Sequence, residues 1–368
     1  MKIALVVHDF DPRFGQGRYA VALARRVAVQ HDVHVYANRF AAPLPPNVTF
    51  QKVPAWRRTA LTTILTFLNG AEALLRRRDY DLIHAQGLTC WRADVITAHI
   101  CNAARHRNAP PAGVLRRLFP AIALPLETRF YQQARARRLI AVSQRVADEV
   151  VTHYGWRRPA KVIYHGTDTT EFRPAADVDE RNRLRAGYRL EPGSWVWLFA
   201  GEAVKGLAQV IEQLVHFPEA ALLVVSRSQP APWRALAKAL GVESRLHFHG
   251  AAEDMATAYR AADLFVYPSP YDAFGLVVAE AMATGLPVIV GQNIGAAEWI
   301  ESGKNGLLCD PHEPDTLRRH LAWLRTNPKP ARALGEAARV TVMEHGWEAC
   351  ADATLAVYEQ VRAEKGKP

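Results

Sequence analysis

The part of this sequence with the most chemical information is the segment 267–290, which combines carboxylates, a glycine and a proline-rich turn. An apolar run ends at Tyr267, the turn follows, and a helical pattern begins near Phe274 or Gly275. The first N–H groups of a helix have no partners inside the helix and, with the helix dipole, form a favourable place for an anion. The segment therefore predicts a phosphate-binding turn at Phe274, Gly275 and Leu276, where the glycine lets the ligand approach the backbone.

Two carboxylates flank this predicted turn. Glu280 lies five residues after Gly275, where its two oxygens can accept hydrogen bonds from both hydroxyls of a ribose. Asp272 lies just before the helix, where it can address a sugar or act as an ordinary acidic residue that favours the helix dipole. We take Asp272 and Glu280 as candidate catalytic residues.

Candidate residues also follow the early apolar runs. Gly15 and Gly17 lie between the first apolar run and the first helical pattern, and a Gly-x-Gly at this place is typical of a tight turn. His99 follows the apolar run Val95–Ala98, and a histidine at the end of a strand is well placed for catalysis or binding. A structural histidine that only satisfies its own hydrogen bonds is the alternative.

Several other chemistries lack the residues that they need. His247 and His249 share one face of a short apolar run, but no third metal ligand accompanies them. Two Asp-x-Asp pairs lack the surroundings of a metal-binding motif: Asp9 with Asp11, and Asp177 with Asp179. The cysteines show no Cys-x-x-Cys spacing, and there is no Walker lysine, serine nucleophile elbow or complete GxGxxG. We therefore expect reduced thiols and no metal site.

These residues require a scaffold of alternating strands and helices. Apolar, β-branched-rich runs alternate with amphipathic stretches, such as the one that carries Ala20, Leu23, Ala24 and Val27 at helical spacing. This alternation predicts an α/β fold with parallel sheets, because βαβ crossovers place helices on both faces of a sheet. The predicted strands lie at 3–7, 33–37, 82–85, 95–98, 139–142, 162–164, 196–200, 221–225, 246–248, 264–267, 288–290 and 306–308.

Two such series of similar length predict two Rossmann-like, doubly wound domains in this chain of 368 residues. We place the N-terminal domain at 1–174, where Arg173 and Pro174 interrupt the pattern, and the C-terminal domain at 175–345. A last helix within 346–368 is expected to cross back to the N-terminal domain. Ligands of open α/β sheets bind outside the carboxyl ends of the strands, so we expect the site in a central cleft between two facing sheets.

The order of these motifs resembles the large retaining glycosyltransferase family 4, which has the GT-B fold. Asp272-x7-Glu280 is similar to the E-x7-E region of the family, with Asp272 in place of the first glutamate, as in some lipopolysaccharide-type members. Further matches lie at 141–143, 164–174, 260–268, 295–298 and 303–308. The resemblance spans nearly the whole chain and is strongest over 195–310.

The resemblance implies a role for each matching residue. Glu280 would bind the ribose of a nucleotide-sugar donor, and the turn before it would bind the donor phosphates. Lys205 matches the lysine that pairs with the donor diphosphate, with a solvated loop lysine as the alternative. The loop of Gly15 and Gly17 would close over the donor, and His99 matches the histidine that contacts the transferred sugar.

One position departs from the family pattern. The family commonly has an arginine where this chain has Glu202. A carboxylate beside a diphosphate is repulsive, so we expect Glu202 to point away. Arg227, just after a predicted strand, is the candidate that supplies the missing charge to the donor site.

The activity implied by the resemblance is that of a metal-independent, retaining hexosyltransferase. Its co-substrate would be a nucleotide sugar, most simply a UDP-sugar, with no further cofactor. Its acceptor would be a glycan or a lipid-linked molecule, as in lipopolysaccharide or cell-surface glycan synthesis. Two alternatives stay open: a non-transferring enzyme of the same fold, such as an epimerase or a phosphorylase, and a non-catalytic nucleotide-sugar-binding partner subunit, which the departures at Glu202 and Asp272 allow.

The charge is distributed unevenly. Residues 1–175 hold 26 Lys and Arg against 12 Asp and Glu, a net charge of +14, whereas the whole chain has +10. Apolar residues beside clustered arginines at 56–68, 74–78 and 114–126 predict contact with an anionic membrane surface, with ordinary packing helices that carry solvated arginines as the alternative.

No nucleic-acid-binding module accompanies the charge, so we expect no nucleic acid partner. The sequence has no run of roughly 18 apolar residues and no complete secretion signal. We therefore expect a cytoplasmic protein, peripheral on the inner face of the plasma membrane.

Overall fold

The computed structural model describes residues 1–41, 44–108, 114–133, 135–250 and 254–366, and for 114–119 the backbone alone. The chain divides into two compact units. Unit 1 consists of Met1–Gly166 together with Trp347–Pro368, and unit 2 is Thr167–Gly346. Each unit is built on one parallel sheet, as the alternating pattern predicts.

The strands of unit 1 form a seven-stranded sheet and a separate parallel pair. In chain order they are β1 (Lys2–Val6), β2 (Asp9–Phe10), β3 (Asp32–Ala37), β4 (Arg39–Phe40), β5 (Val48–Lys52), β6 (Leu82–Gln86), β7 (Val95–Ala98), β8 (Arg138–Ala141) and β9 (Ala160–Val162). The sheet has the order β5-β3-β1-β6-β7-β8-β9, and β2 pairs with β4.

Unit 2 carries a six-stranded parallel sheet in the order β12-β11-β10-β13-β14-β15. Its strands are β10 (Trp195–Ala200), β11 (Ala220–Val225), β12 (Leu246–His249), β13 (Leu264–Tyr267), β14 (Val288–Gly291) and β15 (Leu307–Cys309). All residues of β11 are buried, and so are those of β10 after Trp195. Strands covered on both faces need such continuous apolar runs.

Helices connect these strands in both units. They are α1 (Gly15–Val27), α2 (Ala60–Leu75), α3 (Asn102–Asn108), α4 (Val114–Gln133), α5 (Gln144–Tyr154), α6 (Val178–Gly187), α7 (Leu207–Gln213), α8 (Ala231–Ala239), α9 (Met255–Ala261), α10 (Leu276–Ala283), α11 (Pro314–Thr326), α12 (Pro328–Met343) and α13 (Trp347–Lys365). Within the described residues, none of these helices combines the length and the apolar composition that crossing a bilayer requires.

The boundary between the units lies after Gly166, not at residue 174 as the sequence interruption indicated. The backbone N–H of Thr167 donates to the carbonyl of His345 at 3.0 Å. Arg339 donates to the carbonyl of Phe172 at 3.2 Å. These contacts pack the segment 167–172 on unit 2, so the Arg-Pro interruption follows the boundary by several residues.

The last helix, α13, belongs to unit 1. Arg26 of α1 forms an ion pair with Glu348, and Arg138 of β8 forms one with Glu364. These ion pairs attach both ends of α13 to elements that precede it by more than two hundred residues.

Both sheets reverse their strand order at one point. β1 lies between β3 and β6 in unit 1, and β10 lies between β11 and β13 in unit 2. In open α/β sheets, the carboxyl ends of the two strands at such a switch point form the crevice that holds a ligand. The loops after β1 and β6, and those after β10 and β13, are therefore where these sheets would hold a ligand.

Candidate functional site

The loops after β10 and β13 meet at the switch point of unit 2. Gly206 has a φ of 107°, and a Cβ added to it would lie 2.7 Å from the carbonyl oxygen of Pro268, so only glycine permits this approach. The contact brings Lys205 beside the segment after β13. Nζ of Lys205 lies 2.8 Å from Oδ2 of Asp272. Two residues that the sequence singled out separately thus form one ion pair.

Asp272 is held as a carboxylate by several donors. The hydroxyl of Tyr267 donates to its Oδ2 at 2.8 Å, and the backbone N–H of Phe274 donates to the carboxylate as well. Burial alone raises the pKa of Asp272, but the positive charge of Lys205 and these hydrogen bonds outweigh it, so the pKa lies below its usual value. Asp272 is therefore ionised at neutral pH and fixed in position.

Glu280 lies on the second turn of α10, eight residues after Asp272. The helix begins at Leu276, slightly later than predicted, because Gly275 is its N-cap with a φ of 94°. Glu280 is 3% exposed, and its Oε2 accepts a hydrogen bond from the hydroxyl of Tyr259 at 2.8 Å. Tyr259 lies on α9, and the sequence analysis did not single it out.

The backbone at Phe274 is also held by residues that follow β14. Its carbonyl accepts from the N–H of Ala296 at 2.6 Å, and its ring packs at 5.0 Å against Trp299. Phe274 as a whole residue is 2% exposed, so its ring serves to pack this turn. Leu276 supplies the first amide of α10.

The loop after β11 lies against the loop that carries Glu202. Oγ of Ser228 accepts a hydrogen bond from the N–H of Ala203 at 3.0 Å, which places the neighbouring residue Arg227 at the same edge of the sheet. Glu202 is exposed, yet its charge contributes to raising the pKa of Tyr267, after the larger effects of burial and Asp272. Glu202 therefore lies within electrostatic range of the Lys205 and Asp272 pair.

In unit 1, the glycine loop, which we define by Gly15 and Gly17, leads into the first turn of α1. A Cβ on Gly17 would lie 2.2 Å from the carbonyl oxygen of Asp11, so the tight turn between β2 and α1 requires glycine there. Gly15 is exposed at the first position of the helix. Between them, Gln16 donates from Nε2 to the carbonyl oxygen of Gln86 at 2.7 Å. This bond joins the loops at the carboxyl ends of β1 and β6, the switch point of unit 1.

His99 lies at the end of β7, beside Gln86. Its Nε2 is 2.7 Å from Oε1 of Gln86, and its ring packs against Tyr19 at 5.0 Å and His165 at 5.5 Å. Burial, together with the neighbouring rings of His165 and His84, holds the pKa of His99 well below its usual value. The ring is therefore neutral at physiological pH, which suits a hydrogen bond to a neutral hydroxyl.

Gln16, Gln86 and Tyr259 were missed in the sequence. Glutamine and tyrosine occur in both cores and surfaces, so their type alone carries no signal. The available hint was position: Gln86 ends β6, and Gln16 stands between the two glycines. Among the residues that the structure describes, no group of three or more His, Cys, Asp or Glu side chains is arranged to hold a metal ion. His247 and His249 both lie on β12.

Comparisons with known proteins give the family. The model described as Glycosyltransferase Family 4 matches residues 15–171, and the model described as Glycosyl transferases group 1 matches residues 180–341. A D-inositol 3-phosphate glycosyltransferase from Xylanimonas cellulosilytica is 31% identical, and the alignment covers 94% of this chain and 90% of the relative.

Solved structures agree in fold. WaaG, a glycosyltransferase involved in lipopolysaccharide biosynthesis, has a TM-score of 0.83 at 22% identity over 97% of this chain and 99% of its own. Anabaena HepE in complex with UDP-glucose has a TM-score of 0.77 at 18% identity over 98% and 100%. These likenesses show that the two parallel-sheet units form the GT-B fold. The chain belongs to glycosyltransferase family 4 and is a glycosyltransferase of the group 1 type.

Proposed function

We propose that this glycosyltransferase moves a hexosyl group from a UDP-sugar to a glycan or lipid-linked acceptor, with retention of the anomeric configuration and without a metal ion. The observation that carries the proposal is the Lys205–Asp272 ion pair at the switch point of unit 2, next to the N-terminus of α10. A cation and free helix amides at one place suit a diphosphate. Glu280 then lies one helical turn further on, for the ribose.

The same groups supply the electrostatics of the transfer. Negative charge develops on the diphosphate as it departs, and preorganised donors that face this charge lower the barrier. We assign this role to Lys205, to Arg227 on the neighbouring loop and to the amides at Gly275 and Leu276. This donor set carries positive charge of its own, which supports the metal-independent form of the proposal.

The proposal of retention rests on the resemblance to glycosyltransferase family 4. No described residue has to act as a covalent nucleophile, so we propose attack on the face that the diphosphate leaves, with a donor phosphate oxygen taking the proton of the acceptor hydroxyl. Asp272 then acts electrostatically beside the transferred sugar. In unit 1, His99 contacts the sugar, and the loop of Gly15 and Gly17 approaches the donor.

The donor is proposed to be a UDP-sugar because HepE, which shares the fold, binds UDP-glucose. A thermal-shift series with UDP-, GDP- and ADP-glucose tests this choice, since a ligand that binds only the folded state raises the melting temperature. The expected result is a rise with UDP-glucose and little change with the others. A melting temperature that rises only with GDP-glucose or only with ADP-glucose would show that the donor carries guanine or adenine instead of uracil.

The relatives suggest two acceptor classes. WaaG is involved in lipopolysaccharide biosynthesis, which favours a lipid-linked glycan. The relative with 31% identity is named for D-inositol 3-phosphate, which favours a small phosphorylated polyol as the second candidate. Incubation of the enzyme and donor with each acceptor, followed by NMR of the anomeric proton of the product, identifies both the acceptor and the stereochemistry. Product formation without any acceptor would instead indicate an epimerase or a hydrolase.

We further propose that unit 1 binds an anionic membrane surface at the inner face of the plasma membrane. Trp56 is 69% exposed and Leu65 is 40% exposed, and the guanidinium of Arg58 lies 6.0 Å from the Trp56 ring centroid. Exposed apolar groups beside cations are what an interfacial contact needs. The side chains at 114–119, part of another predicted contact stretch, lie outside the described residues.

Co-sedimentation with vesicles tests this surface. The wild-type protein should bind vesicles with phosphatidylglycerol more than vesicles of phosphatidylcholine alone, and Trp56→Ala should reduce that binding. Trp323→Ala, which removes a tryptophan that is 39% exposed in unit 2, is the matched control and should not. Equal binding to both vesicle types would reject the membrane proposal.

A further inference from the structure

Buried polar side chains connect His99 to the last helix of unit 1. The side-chain amide of Gln86 bonds to His99 through its Oε1. Its Nε2 lies 3.2 Å from Nε2 of His84. On the other side of that ring, Nδ1 of His84 lies 2.6 Å from the hydroxyl of Tyr358 in α13. Gln86 and His84 have no exposed surface and Tyr358 is 1% exposed, so water does not compete for these hydrogen bonds.

The amide of Gln86 gives this series of hydrogen bonds a direction. Its oxygen can only accept, so Nε2 of His99 carries the proton of that bond. Its nitrogen can only donate, so Nε2 of His84 offers a lone pair, which also accepts from the hydroxyl of Thr97 at 2.7 Å.

Both rings are neutral, so the second nitrogen of each follows. Burial lowers the pKa of His84 to about 3, and burial with the neighbouring histidines lowers that of His99. A neutral imidazole carries one proton. Nδ1 of His84 therefore donates to Tyr358, and Nδ1 of His99 presents a lone pair.

We propose that Gln86, His84 and Tyr358 are positioning residues that fix the tautomer of His99, so that its Nδ1 accepts a hydrogen bond from a hydroxyl of the donor sugar. Among the described residues, Nδ1 of His99 is buried and has no hydrogen-bond partner. An unpaired buried acceptor costs free energy, which a ligand hydroxyl would recover. The proposal rests on the proposed sugar contact of His99 and adds the origin of its hydrogen-bonding polarity.

The glycine loop belongs to the same arrangement. Gln16 donates to the backbone carbonyl of Gln86, so the loop at the start of α1 and the amide that orients His99 are held together. The tautomer of a residue at the end of β7 thus depends on Tyr358, which follows His84 by 274 positions. Truncation or displacement of α13 should therefore alter sugar recognition in unit 1.

Nitrogen-15 NMR of histidine-labelled protein tests the proposal, because protonated and unprotonated ring nitrogens resonate at different frequencies. The His99 signals are assigned among the 14 histidines by their loss in His99→Asn. The expected result is a neutral His99 with the proton on Nε2. A His99 protonated on Nδ1 would overturn the proposal.

Two variants test where the tautomer comes from. Tyr358→Phe removes the acceptor of the His84 proton, which favours the opposite tautomer of His84 and a reversed Gln86 amide; His99 should then carry its proton on Nδ1. Gln86→Glu keeps an acceptor toward His99 and should keep its proton on Nε2. Unchanged His99 signals in Tyr358→Phe, or a proton on Nδ1 in Gln86→Glu, would contradict the proposal.

Val361→Ala is the matched control. Val361 is fully buried on α13, three residues after Tyr358, and its side chain carries no polar group. This variant should leave the tautomer of His99 unchanged, whereas a changed tautomer would show that any disturbance of α13 acts on His99.

Kinetics separate this inference from the proposed function. Tyr358→Phe should lower kcat/KM for the sugar donor by about tenfold, the loss of one hydrogen bond, and leave the affinity for UDP unchanged. If the NMR results are as expected but His99→Asn transfers sugar as fast as the wild type, the sugar contact of the proposed function is wrong, while the origin of the tautomer stands.

Discussion

Lys205 and Asp272 form an ion pair of 2.8 Å across the switch point of unit 2, between the loops that follow β10 and β13. The Lys205 side chain is 29% exposed and that of Asp272 is 15% exposed, so a ligand can reach both without unfolding of the loops. A diphosphate that binds Lys205 must compete with Asp272 or share the ammonium with it. Under the proposed function, the two residues therefore act on donor affinity in opposite directions.

Asp272→Asn should separate binding from catalysis. Loss of the carboxylate frees Lys205 for the diphosphate, so the affinity for UDP should stay the same or rise, whereas kcat should fall roughly 100-fold, the scale of a lost electrostatic group in an active site. Calorimetry with UDP and steady-state kinetics measure the two effects. Asp272→Glu restores the family residue and should keep most of the activity; full activity in Asp272→Asn would show that Asp272 only neutralises Lys205.

Glu202→Arg should strengthen donor binding. Glu202 lies in electrostatic range of Tyr267 at this site, and an arginine there replaces a repulsive charge with an attractive one. We expect the Kd for UDP to fall by about tenfold, which corresponds to about 1.4 kcal/mol. Glu243→Arg makes the same change of charge at an exposed position of unit 2 and should leave the Kd unchanged. Equal effects of the two variants would indicate a change in overall charge only.

Tyr259→Phe should lower both the free energy of unfolding of unit 2 and the affinity for UDP. The hydroxyl of Tyr259 donates to the buried Glu280, and loss of a bond to a buried carboxylate costs about 1–3 kcal/mol. Urea denaturation measures the stability, and UDP titration should show weaker binding. Tyr188→Phe removes a hydroxyl that bonds to Thr257 at 2.8 Å and should leave UDP binding unchanged. Unaltered UDP binding in Tyr259→Phe would show that the orientation of Glu280 does not depend on α9.

The buried carboxyl group of Glu127 should make the stability of unit 1 depend on pH. Burial raises its pKa to about 7, although hydrogen bonds from Tyr154 at 2.6 Å and Asn102 at 3.2 Å oppose the shift. In the unfolded chain this carboxyl ionises at its usual value of 4.5, so between that pH and about 7 only the unfolded state loses the proton. The stability contribution is complete below pH 4.5 and decreases as the pH rises through 7, by about 3 kcal/mol in total.

Glu127→Gln should isolate this effect, because the amide stays neutral at every pH. Its free energy of unfolding relative to the wild type should be near zero or slightly negative at pH 4 and clearly positive at pH 8. Glu336→Gln, at an exposed position, is the control and should show no such trend. A difference between Glu127→Gln and the wild type that does not change with pH would contradict the prediction.

The alternating pattern was sufficient to predict two parallel sheets, because parallel strands buried on both faces must be continuous apolar runs. It did not predict β5, which has no such run. This edge strand has the sequence Val-Thr-Phe-Gln-Lys, and its residues are only partly buried. The last strand of the main sheet in unit 1 was predicted at 162–164 and lies at Ala160–Val162. Its first two residues, Ala160 and Lys161, are exposed and carry no apolar signal.

The sequence named candidate site residues one by one but did not predict their arrangement. The types and spacing of Lys205, Asp272 and Glu280 were informative, whereas the ion pair of the first two depends on the close approach of Gly206 to Pro268. Such a contact joins loops that are far apart in the chain, and no local pattern encodes it. The hydrogen bonds that orient His99 escaped prediction for the same reason, since they involve a tyrosine on the last helix.

Calorimetric titration of UDP into Lys205→Ala and Glu280→Gln tests the central claim most directly, namely that the switch point of unit 2 binds the nucleotide diphosphate. We predict a Kd at least about tenfold higher than that of the wild type in each variant, since each loses a charge-assisted interaction. Lys304→Ala, which removes an exposed lysine elsewhere in unit 2, should bind UDP as the wild type does. UDP binding of wild-type strength in both Lys205→Ala and Glu280→Gln would contradict the account.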